Sequence, residues 1–254
     1  MKSLLPEERI LSIDIGGSHI KATILTPAGA LPDAYRKLPT PLPATPEKVI
    51  AVIQELVKDL TAYTKIAVGF PGIVRNGRVY TAPNLGTTSW KHFDLQYHLS
   101  QALGKPVRVV NDADLQGLGV VKGRGFEMLV TLGTGFGTAL LLDGTLLPHL
   151  EMAHHPISQD LSYDQFVGEK ALKMYGEEEW NRRMERVLAI LKSVFGYDHL
   201  FISGGNASKL RFQLDENITI VTNREGITGG LRLWQQPEQP REEDPFMDVL
   251  YSTG

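Results

Sequence analysis

The chain contains one hydrophobic pattern twice. In both copies a short apolar run meets a glycine-rich turn and resumes as a second apolar run, at residues 9–26 and 128–142. The turns are Gly16-Gly17-Ser18 and Gly133-Thr134-Gly135, so the second copy follows the first at an offset of about 116 residues. Short apolar runs bounded by glycine are typical of strands. We therefore predict a duplicated unit of strand, glycine turn and strand, and with it two similar half-domains.

The rest of the chain alternates predicted helices with predicted strands. A proline-rich segment at residues 40–46 is followed by apolar positions with helical spacing, which predict a helix that begins near Pro46. The further elements are a strand at 66–70, a helix at 94–103, a strand at 107–110, a helix at 180–195, a strand at 199–203 and a helix at 225–234. This order predicts an α/β fold. Residues 236–254 are polar and rich in proline, which predicts a tail.

Composition excludes several classes of function. The 26 Lys and Arg residues and 29 Asp and Glu residues give a net charge of −3, which provides no overall positive field for nucleic acid. The chain has no cysteine, which excludes disulfides, cysteine nucleophiles and thiolate metal sites. No apolar run approaches the ~18 residues of a membrane span, and no signal sequence is visible. We therefore expect a cytoplasmic protein that binds neither nucleic acid nor membrane.

The two glycine turns are candidate anion sites. Successive backbone N–H groups with no side chains in the way allow a phosphate to approach closely. Asp14 lies at the end of the first predicted strand, and its carboxylate is suited to Mg²⁺. Either turn alone is equally typical of a plain β-hairpin. The pair favours a site that holds a polyphosphate chain from two sides.

The segment Asn111-Asp112-Ala113-Asp114 directly follows a predicted strand. Ligands of open α/β sheets bind at the carboxyl ends of the strands, where a carboxylate can take a proton from an attacking hydroxyl. The alternative is that Asp112 or Asp114 caps the following helix, which is a common position for aspartate. The spacing alone leaves both interpretations open.

Two further segments contain polar residues with more than one interpretation. His149, Glu151, His154 and His155 cluster within seven residues, which is compatible with a metal site, a loop that binds a hydroxyl-rich ligand, or a polar surface. Gly204-Gly205-Asn206 follows a predicted strand. These glycines suit the close approach of a planar base or a tight turn in which Asn206 caps a helix.

Taken together, these segments resemble the ROK family of sugar kinases, and within it the polyphosphate glucokinase branch. The resemblance rests on residues 13–21 (IDIGGSHIK), 69–72 (GFPG), 82–85 (APNL), 110–114 (VNDAD), 131–137 (TLGTGFG), 151–156, 180–183 (WNRR) and 204–207 (GGNA). Each motif is weakly specific, but their order along the chain is specific. The resemblance implies two RNase-H-like lobes of the actin-like ATPase superfamily around a central cleft. The lobes would span residues 1–111 and 112–235, with the C-terminal helix near 225–235 completing the first.

The resemblance also implies roles for individual residues. Asp112 would be the general base for the sugar 6-hydroxyl, and Asp14 would organise Mg²⁺. The phosphate-binding residues of a polyphosphate or ATP donor would be Gly16, Gly17, Ser18, Lys21, Gly133, Thr134 and Gly135. The sugar-binding residues would be Asn84, Asn111, Asp112, Glu151, His154 and Asp164. Gly204, Gly205 and Asn206 would lie near an adenine, and the family expectation for assembly is a homodimer.

Two departures from the family pattern leave the sugar open. Ala153 stands where the sugar loop usually has glycine, and Asp164 stands where the branch usually has glutamate. The leading hypothesis is phosphorylation of glucose at O6 by polyphosphate, ATP or both. The alternatives are a kinase for another hexose, such as mannose, allose or an N-acetylhexosamine, and a non-catalytic sugar-binding protein of the same fold. The cysteine-rich zinc motif and the DNA-binding helices of other family members are absent.

Overall fold

The computed structural model describes residues 9–222 and 228–237. Its strands are β1 (Ile10–Ile15), β2 (His19–Thr26), β3 (Gly29–Pro39), β4 (Lys65–Phe70), β5 (Val74–Arg75), β6 (Arg78–Val79), β7 (Val107–Asn111), β8 (Phe126–Leu132), β9 (Phe136–Leu142), β10 (Thr145–Leu146), β11 (His199–Ser203) and β12 (Ile218–Ile220). Its helices are α1 (Pro46–Val57), α2 (Thr87–Trp90), α3 (Leu95–Leu103), α4 (Asp112–Val120), α5 (Tyr163–Val167), α6 (Glu169–Phe195) and α7 (Gly229–Leu233).

Two five-stranded sheets have the same topology. The first has the order β3-β2-β1-β4-β7 and the second the order β10-β9-β8-β11-β12. In both, the first three strands are antiparallel and the last three are parallel. The duplicated strand–turn–strand unit predicted from the sequence is the central hairpin of each sheet, and this prediction is confirmed.

Several element boundaries differ from the sequence prediction. A turn at residues 27 and 28 is followed by β3, an 11-residue strand that was not predicted and that pairs with β2. The long helix predicted at 180–195 begins at Glu169, because the chain remains helical on both sides of a break at Gly176 with φ +78°. The part of the predicted helix at 225–234 that the structure describes is α7, while residues 238–254 of the predicted tail lie outside the described residues.

Three apolar clusters stabilise the fold. The first packs α1 and α3 against the first sheet, and the second packs α5 and α6 against the second sheet. The third lies between the sheets and is built on the apolar face of α4. Its buried members come from both sheets and from helices α4 and α7. They include Ile10, Leu25, Ala67, Leu115, Leu118, Leu129, Ala139, Leu141, Phe201 and Leu233.

Helix α4 packs closely against a strand of each sheet. A Cβ atom built on Gly69 of β4 would lie 3.2 Å from the Cα atom of Asp112, so the strand backbone directly supports the start of the helix. On the helix, a Cβ atom at Gly117 would lie 2.9 Å from the Cβ atom of Ala139 in β9. The distance at Gly117 is shorter than real Cβ atoms show and the distance at Gly69 is tighter than most, so glycine permits this close approach. Helix α4 therefore packs closely against a strand of each sheet.

The segment that contains α7 is bound to both sheets. The Arg108 guanidinium of β7 donates to the carbonyls of Leu233 and Gln236 at 2.8 and 2.9 Å, and it stacks on the ring of Trp234 at 4.8 Å. The Gln236 side chain accepts from the Leu146 amide at 2.9 Å and donates to the Gly144 carbonyl at 3.1 Å. Gln236, the first residue of the predicted tail, therefore has a fixed place beside the second sheet.

A buried carboxylate holds the loop between α4 and β8. Glu127 is 1% exposed, and its two oxygens accept hydrogen bonds from the backbone N–H groups of Lys122, Gly123 and Arg124 at 2.7, 2.7 and 3.1 Å. Three donors pointing at one carboxylate compensate for its removal from water. Glu127 interrupts the apolar run of β8, which is why the sequence predicted a strand that begins only at Met128.

Among the described residues, no helix is long and apolar enough to cross a membrane.

We predict that Glu127→Gln lowers the free energy of unfolding by about 2–3 kcal/mol, because an amide NH₂ would then face a backbone donor in a buried site. Urea denaturation measures the change. The matched control is Glu178→Gln on α6, whose side chain is 89% exposed and which should change stability by less than about 0.5 kcal/mol. Equal losses in the two variants would contradict the role assigned to Glu127.

Candidate active site

The start of α4 is capped by Asn111 rather than by an aspartate. The Asn111 Oδ1 atom accepts hydrogen bonds from the amides of Ala113 and Asp114 at 2.7 and 3.3 Å, and its Nδ2 group donates to the Gly72 carbonyl at 3.1 Å. The interpretation that Asp112 or Asp114 is the helix cap is therefore wrong. Because Asn111 satisfies the orphan donors of the helix, both aspartates are available for other contacts. Asn111 itself, predicted to bind sugar, is buried and bonded within the protein.

Asp112 has the electrostatic properties of a base that works near neutral pH. Burial raises the pKa of Asp112 to about 7, and the negative charges of Asp14 and Glu151 add to the rise. A hydrogen bond from the Ala113 amide at 2.9 Å and the charge of His149 oppose it. A carboxyl group with a pKa near the working pH is well matched to proton transfer.

The first glycine turn places Asp14 and Lys21 opposite each other. The two residues face one another in the β1–β2 register, and the Lys21 Nζ atom lies 3.2 Å from the Asp14 Oδ2 atom. Both side chains remain about two-fifths exposed, so each can still reach a ligand. A hard, accessible carboxylate oxygen of this kind suits Mg²⁺, which binds through one or two carboxylates together with water and phosphate oxygens.

Thr40 and Asn84 border the first turn. The Thr40 hydroxyl donates to the Gly16 carbonyl at 2.6 Å, and the Thr40 amide donates to the Ser18 carbonyl at 3.0 Å. A Cβ atom on Gly17 would lie 3.4 Å from the Cβ atom of Asn84. Asn84, predicted to bind sugar, therefore lies against the predicted phosphate turn. Sequence reasoning missed Thr40, because it lies in a proline-rich segment far along the chain from the turn.

Asp164 and Asn206 support the second glycine turn. The Asp164 Oδ1 atom accepts from the Phe136 amide at 2.9 Å, and it occupies the space that a side chain on Gly135 would need. The Asn206 side chain donates to the Gly133 carbonyl at 3.2 Å and does not cap the following turn of 3₁₀ helix, so the interpretation as a helix cap is wrong. The predicted nucleotide segment and the predicted phosphate turn are therefore in direct contact.

Two glycines at this contact have open space above them. A Cβ atom at Gly133 or at Gly205 would meet no other atom within 4 Å, and neither glycine has a positive φ. Packing inside the protein therefore does not explain why these positions are glycine. A ligand that approaches the backbone here would explain it.

The segment that follows β10 contains Glu151 and His154, which are predicted to bind sugar. We call residues 147–156 the sugar loop, and this loop is bonded to β9. The Thr138 hydroxyl donates to the Leu150 carbonyl at 3.1 Å, and residues 152–154 form a turn of 3₁₀ helix in which the His154 amide donates to the Glu151 carbonyl at 3.2 Å. Ala153 lies inside this turn and has no positive φ. The replacement of glycine by alanine is therefore compatible with the loop conformation. His154 is exposed to solvent.

His149 occupies a buried position that the sequence did not reveal. Its Nδ1 atom lies 3.1 Å from the Asp114 Oδ1 atom, and its Nε2 atom lies 3.9 Å from the Glu151 Oε2 atom. The sequence grouped His149 with its neighbours His154 and His155 and gave no sign of the contact with α4. Among residues 9–222 and 228–237, no three His, Asp or Glu side chains are arranged to hold a metal ion.

The start of α4 is the point where these groups meet. Asp14 of the first turn and Glu151 of the sugar loop both act electrostatically on Asp112. A Cβ atom on Gly137, which follows the second turn, would lie 3.2 Å from the Cβ atom of Ala113. The structure thus links Asp14, Glu151 and the end of the second turn to the start of α4, while Asn111 and Asp164 bond to the protein backbone.

Comparison with known proteins shows which sequences and structures the chain is similar to. Residues 10–157 match the ROK family. A polyphosphate glucokinase of Mycobacterium tuberculosis is 32% identical over 221 residues, which are 84% of this chain and 82% of that protein. The crystal structure of an inorganic polyphosphate/ATP-glucomannokinase from Arthrobacter sp. strain KM has a TM-score of 0.80 and 29% identity, and the match covers 91% of this chain and 100% of that one.

A more distant structure supports the fold alone. A ROK family glucokinase from Streptomyces griseus, in complex with glucose and AMPPNP, has a TM-score of 0.75 at 20% identity and covers 89% of this chain and 98% of its own. These neighbours confirm the α/β class and the actin-like ATPase fold expected from the sequence.

We predict that Asp112→Asn raises the melting temperature, and does so more at pH 8 than at pH 5. The folded protein holds the Asp112 proton up to about pH 7, whereas an unfolded aspartate releases it near its ordinary pKa of 3.8. The stabilising effect of this proton is complete below pH 3.8 and lost as the pH rises through 7, where a buried charge remains. The gain at pH 8 should be about 2–4 kcal/mol. Thermal unfolding measures it, with the exposed Asp160→Asn as control; a gain that does not depend on pH would contradict the assignment.

Proposed function

The chain belongs to the ROK family, and from this membership and the site we propose that it is a hexose kinase that phosphorylates the 6-hydroxyl of glucose, with inorganic polyphosphate, ATP or both as the donor. The observation that supports this best is the Asp112 carboxyl group at the start of α4, with a pKa of about 7 and with Asp14 and Glu151 in electrostatic contact. A protein that only bound sugar would not need a base of this strength next to two glycine turns.

In this proposal Asp112 is the general base. Its carboxylate accepts the proton of the 6-hydroxyl while the hydroxyl oxygen bonds to the terminal phosphorus of the donor. The bond from that phosphorus to the bridging oxygen breaks, and the shortened donor leaves with the electron pair. Phosphoryl transfer depends mainly on alignment and charge neutralisation, so a single base that is well placed is sufficient.

The donor phosphates would lie between the two glycine turns. The phosphate-binding residues of the proposal are Gly16, Gly17, Ser18, Lys21, Gly133, Thr134 and Gly135. Lys21 supplies a positive charge beside the first turn. Asp14 would hold Mg²⁺ on the same side, and the ion would neutralise charge on the donor when bound. Gly204, Gly205 and Asn206 would border the base of a nucleotide donor.

The sugar would lie in front of Asp112. Asn84, Glu151 and His154 have exposed or partly exposed side chains that can form hydrogen bonds with hydroxyl groups. Asn111 and Asp164 contribute to this site by holding α4 and the second turn. Mannose is a second candidate acceptor, because the Arthrobacter relative is a glucomannokinase. The homodimer and the cytoplasmic location remain predictions of the family resemblance.

A coupled assay for sugar 6-phosphate tests the proposal, with polyphosphate and ATP as donors and glucose, mannose and N-acetylmannosamine as acceptors. We expect turnover of glucose, and a loss of about 10²–10⁴-fold in kcat for Asp112→Asn. Glucose affinity, measured by calorimetry, should change less than about threefold. A variant that retains most of its rate would show that Asp112 is not the base. The absence of turnover with every pair of substrates would favour a non-catalytic sugar-binding protein.

We predict that Gly133→Ala raises KM for both donors and that Gly205→Ala raises KM for ATP alone. Neither added methyl group meets an atom of the protein, so both variants should keep the melting temperature of the wild type. The methyl group at position 133 would block phosphate, and the one at position 205 would block a nucleotide base. Steady-state kinetics with each donor measure the effect, expected to be about tenfold or more. Unchanged KM values in Gly133→Ala would place the donor elsewhere.

A further inference from the structure

Beside the proposed base lies a row of three ionisable side chains, of which only Glu151 has a predicted role. The side chains of Asp114 and His149 are 7% and 5% exposed, and that of Glu151 is 21% exposed. His149 stands between the two carboxylates, with Nδ1 at 3.1 Å from Asp114 and Nε2 at 3.9 Å from Glu151. We call these residues the acid–histidine–acid row.

The contacts of the row join two elements that the sequence separates. Asp114 lies in the first turn of α4, two residues after the proposed base. His149 and Glu151 lie in the sugar loop, whose residue Leu150 is held to β9 by the Thr138 hydroxyl. His149 is thus a direct polar link between the helix that carries the base and the loop that carries a proposed sugar ligand.

A charged imidazole partly neutralises the two carboxylates of the row. Burial disfavours a charged ring, but the hydrogen bond to Asp114 and the attraction of Glu151 outweigh this cost and raise the pKa of His149 to about 10. Removing one member of a buried charge group leaves the others uncompensated, which is strongly unfavourable. Glu151 is therefore held by a cation at physiological pH.

The Glu151 carboxylate approaches His149 and also acts electrostatically on Asp112. Its Oε2 atom and the His149 Nε2 atom are both buried, and neither has a hydrogen-bond partner. The exposed part of the Glu151 side chain therefore does not include Oε2. A movement of less than one ångström would bring Nε2 and Oε2 within hydrogen-bond distance.

We propose, on the basis of the proposed function, that His149 is a positioning residue. It is bonded to Asp114, and it orients the Glu151 carboxylate so that the other oxygen, Oε1, faces the hydroxyl groups of the sugar. Because Asp114 belongs to α4, the helix that carries the base also determines where the sugar lies. A hydrogen-bonding group that is held in place before the ligand arrives loses less conformational entropy on binding.

His149→Gln tests the proposal, because glutamine keeps a polar side chain and removes the cation. Calorimetry with glucose should show a dissociation constant about tenfold or more above that of the wild type. KM for the donor should change less than about threefold, because the donor turns are unaltered. Loss of the His149 charge also raises the pKa of Asp112, so kcat at saturating glucose is compared at a pH well above 7, where Asp112 is ionised in both proteins. His155→Gln is the matched control: it changes an exposed histidine of the same loop and should leave glucose binding unchanged.

The double variant Asp114→Asn/His149→Gln separates positioning from stability. It removes one positive and one negative charge together, so thermal unfolding should recover toward the wild type, while weak glucose binding should persist. Recovery of glucose affinity together with stability would show a merely structural role and would overturn the proposal. A dissociation constant within twofold of the wild type in folded His149→Gln would also overturn it.

NMR of the ring nitrogens of His149 provides a test that needs no substrate. We expect both nitrogens to be protonated at pH 8, and Glu151→Gln to lower the pKa of His149. A neutral ring at pH 8 would overturn the proposal. Failure of the proposed function gives a different result: glucose binding without turnover would overturn the kinase but leave the calorimetric and NMR tests of His149 valid, and a wild type that binds no hexose would overturn both.

Discussion

The position of α4 between two sheets is the constraint on which the site depends. Gly69 of β4 and Gly117 of the helix allow α4 to pack closely against both sheets, so the helix has little freedom to shift toward either one. The Asn111 cap fixes where the helix begins. Asp112 therefore stands at the junction of the two halves, partly removed from water. The same burial that makes its charge costly gives the carboxyl group its affinity for a proton.

The duplicated hairpin was readable from the sequence because it is encoded locally. Short apolar runs bounded by glycine predict strands, whatever segments surround them. The strand β3 was missed because its polar and proline-containing sequence has no clear alternation, and it forms by pairing with β2. The start of β8 was missed for a different reason. Glu127 is polar in sequence but buried in the fold, because three backbone amides surround its carboxylate.

The site was predictable where its chemistry is carried by motifs and not where it depends on contacts between distant segments. Asp112, Asp14 and the two turns follow from residue type and place along a strand. The contact between Asp114 and His149 joins residues 35 positions apart and depends on how the sugar loop crosses α4. Asn111 and Asp164 have the residue types of ligands, but their side-chain oxygens accept hydrogen bonds from backbone amides. Only the three-dimensional arrangement shows this second use.

The hydrogen bonds from Arg108 to Leu233 and Gln236 have a consequence for how the protein folds during synthesis. Arg108 leaves the ribosome 125 residues before the carbonyl group of Leu233 that it binds. At ordinary elongation rates this interval is about 6–25 s. During it, Ile10, Leu25 and Ala67 lack their partners from the second half of the chain. The first sheet therefore completes its packing only after the second half of the chain has been synthesised.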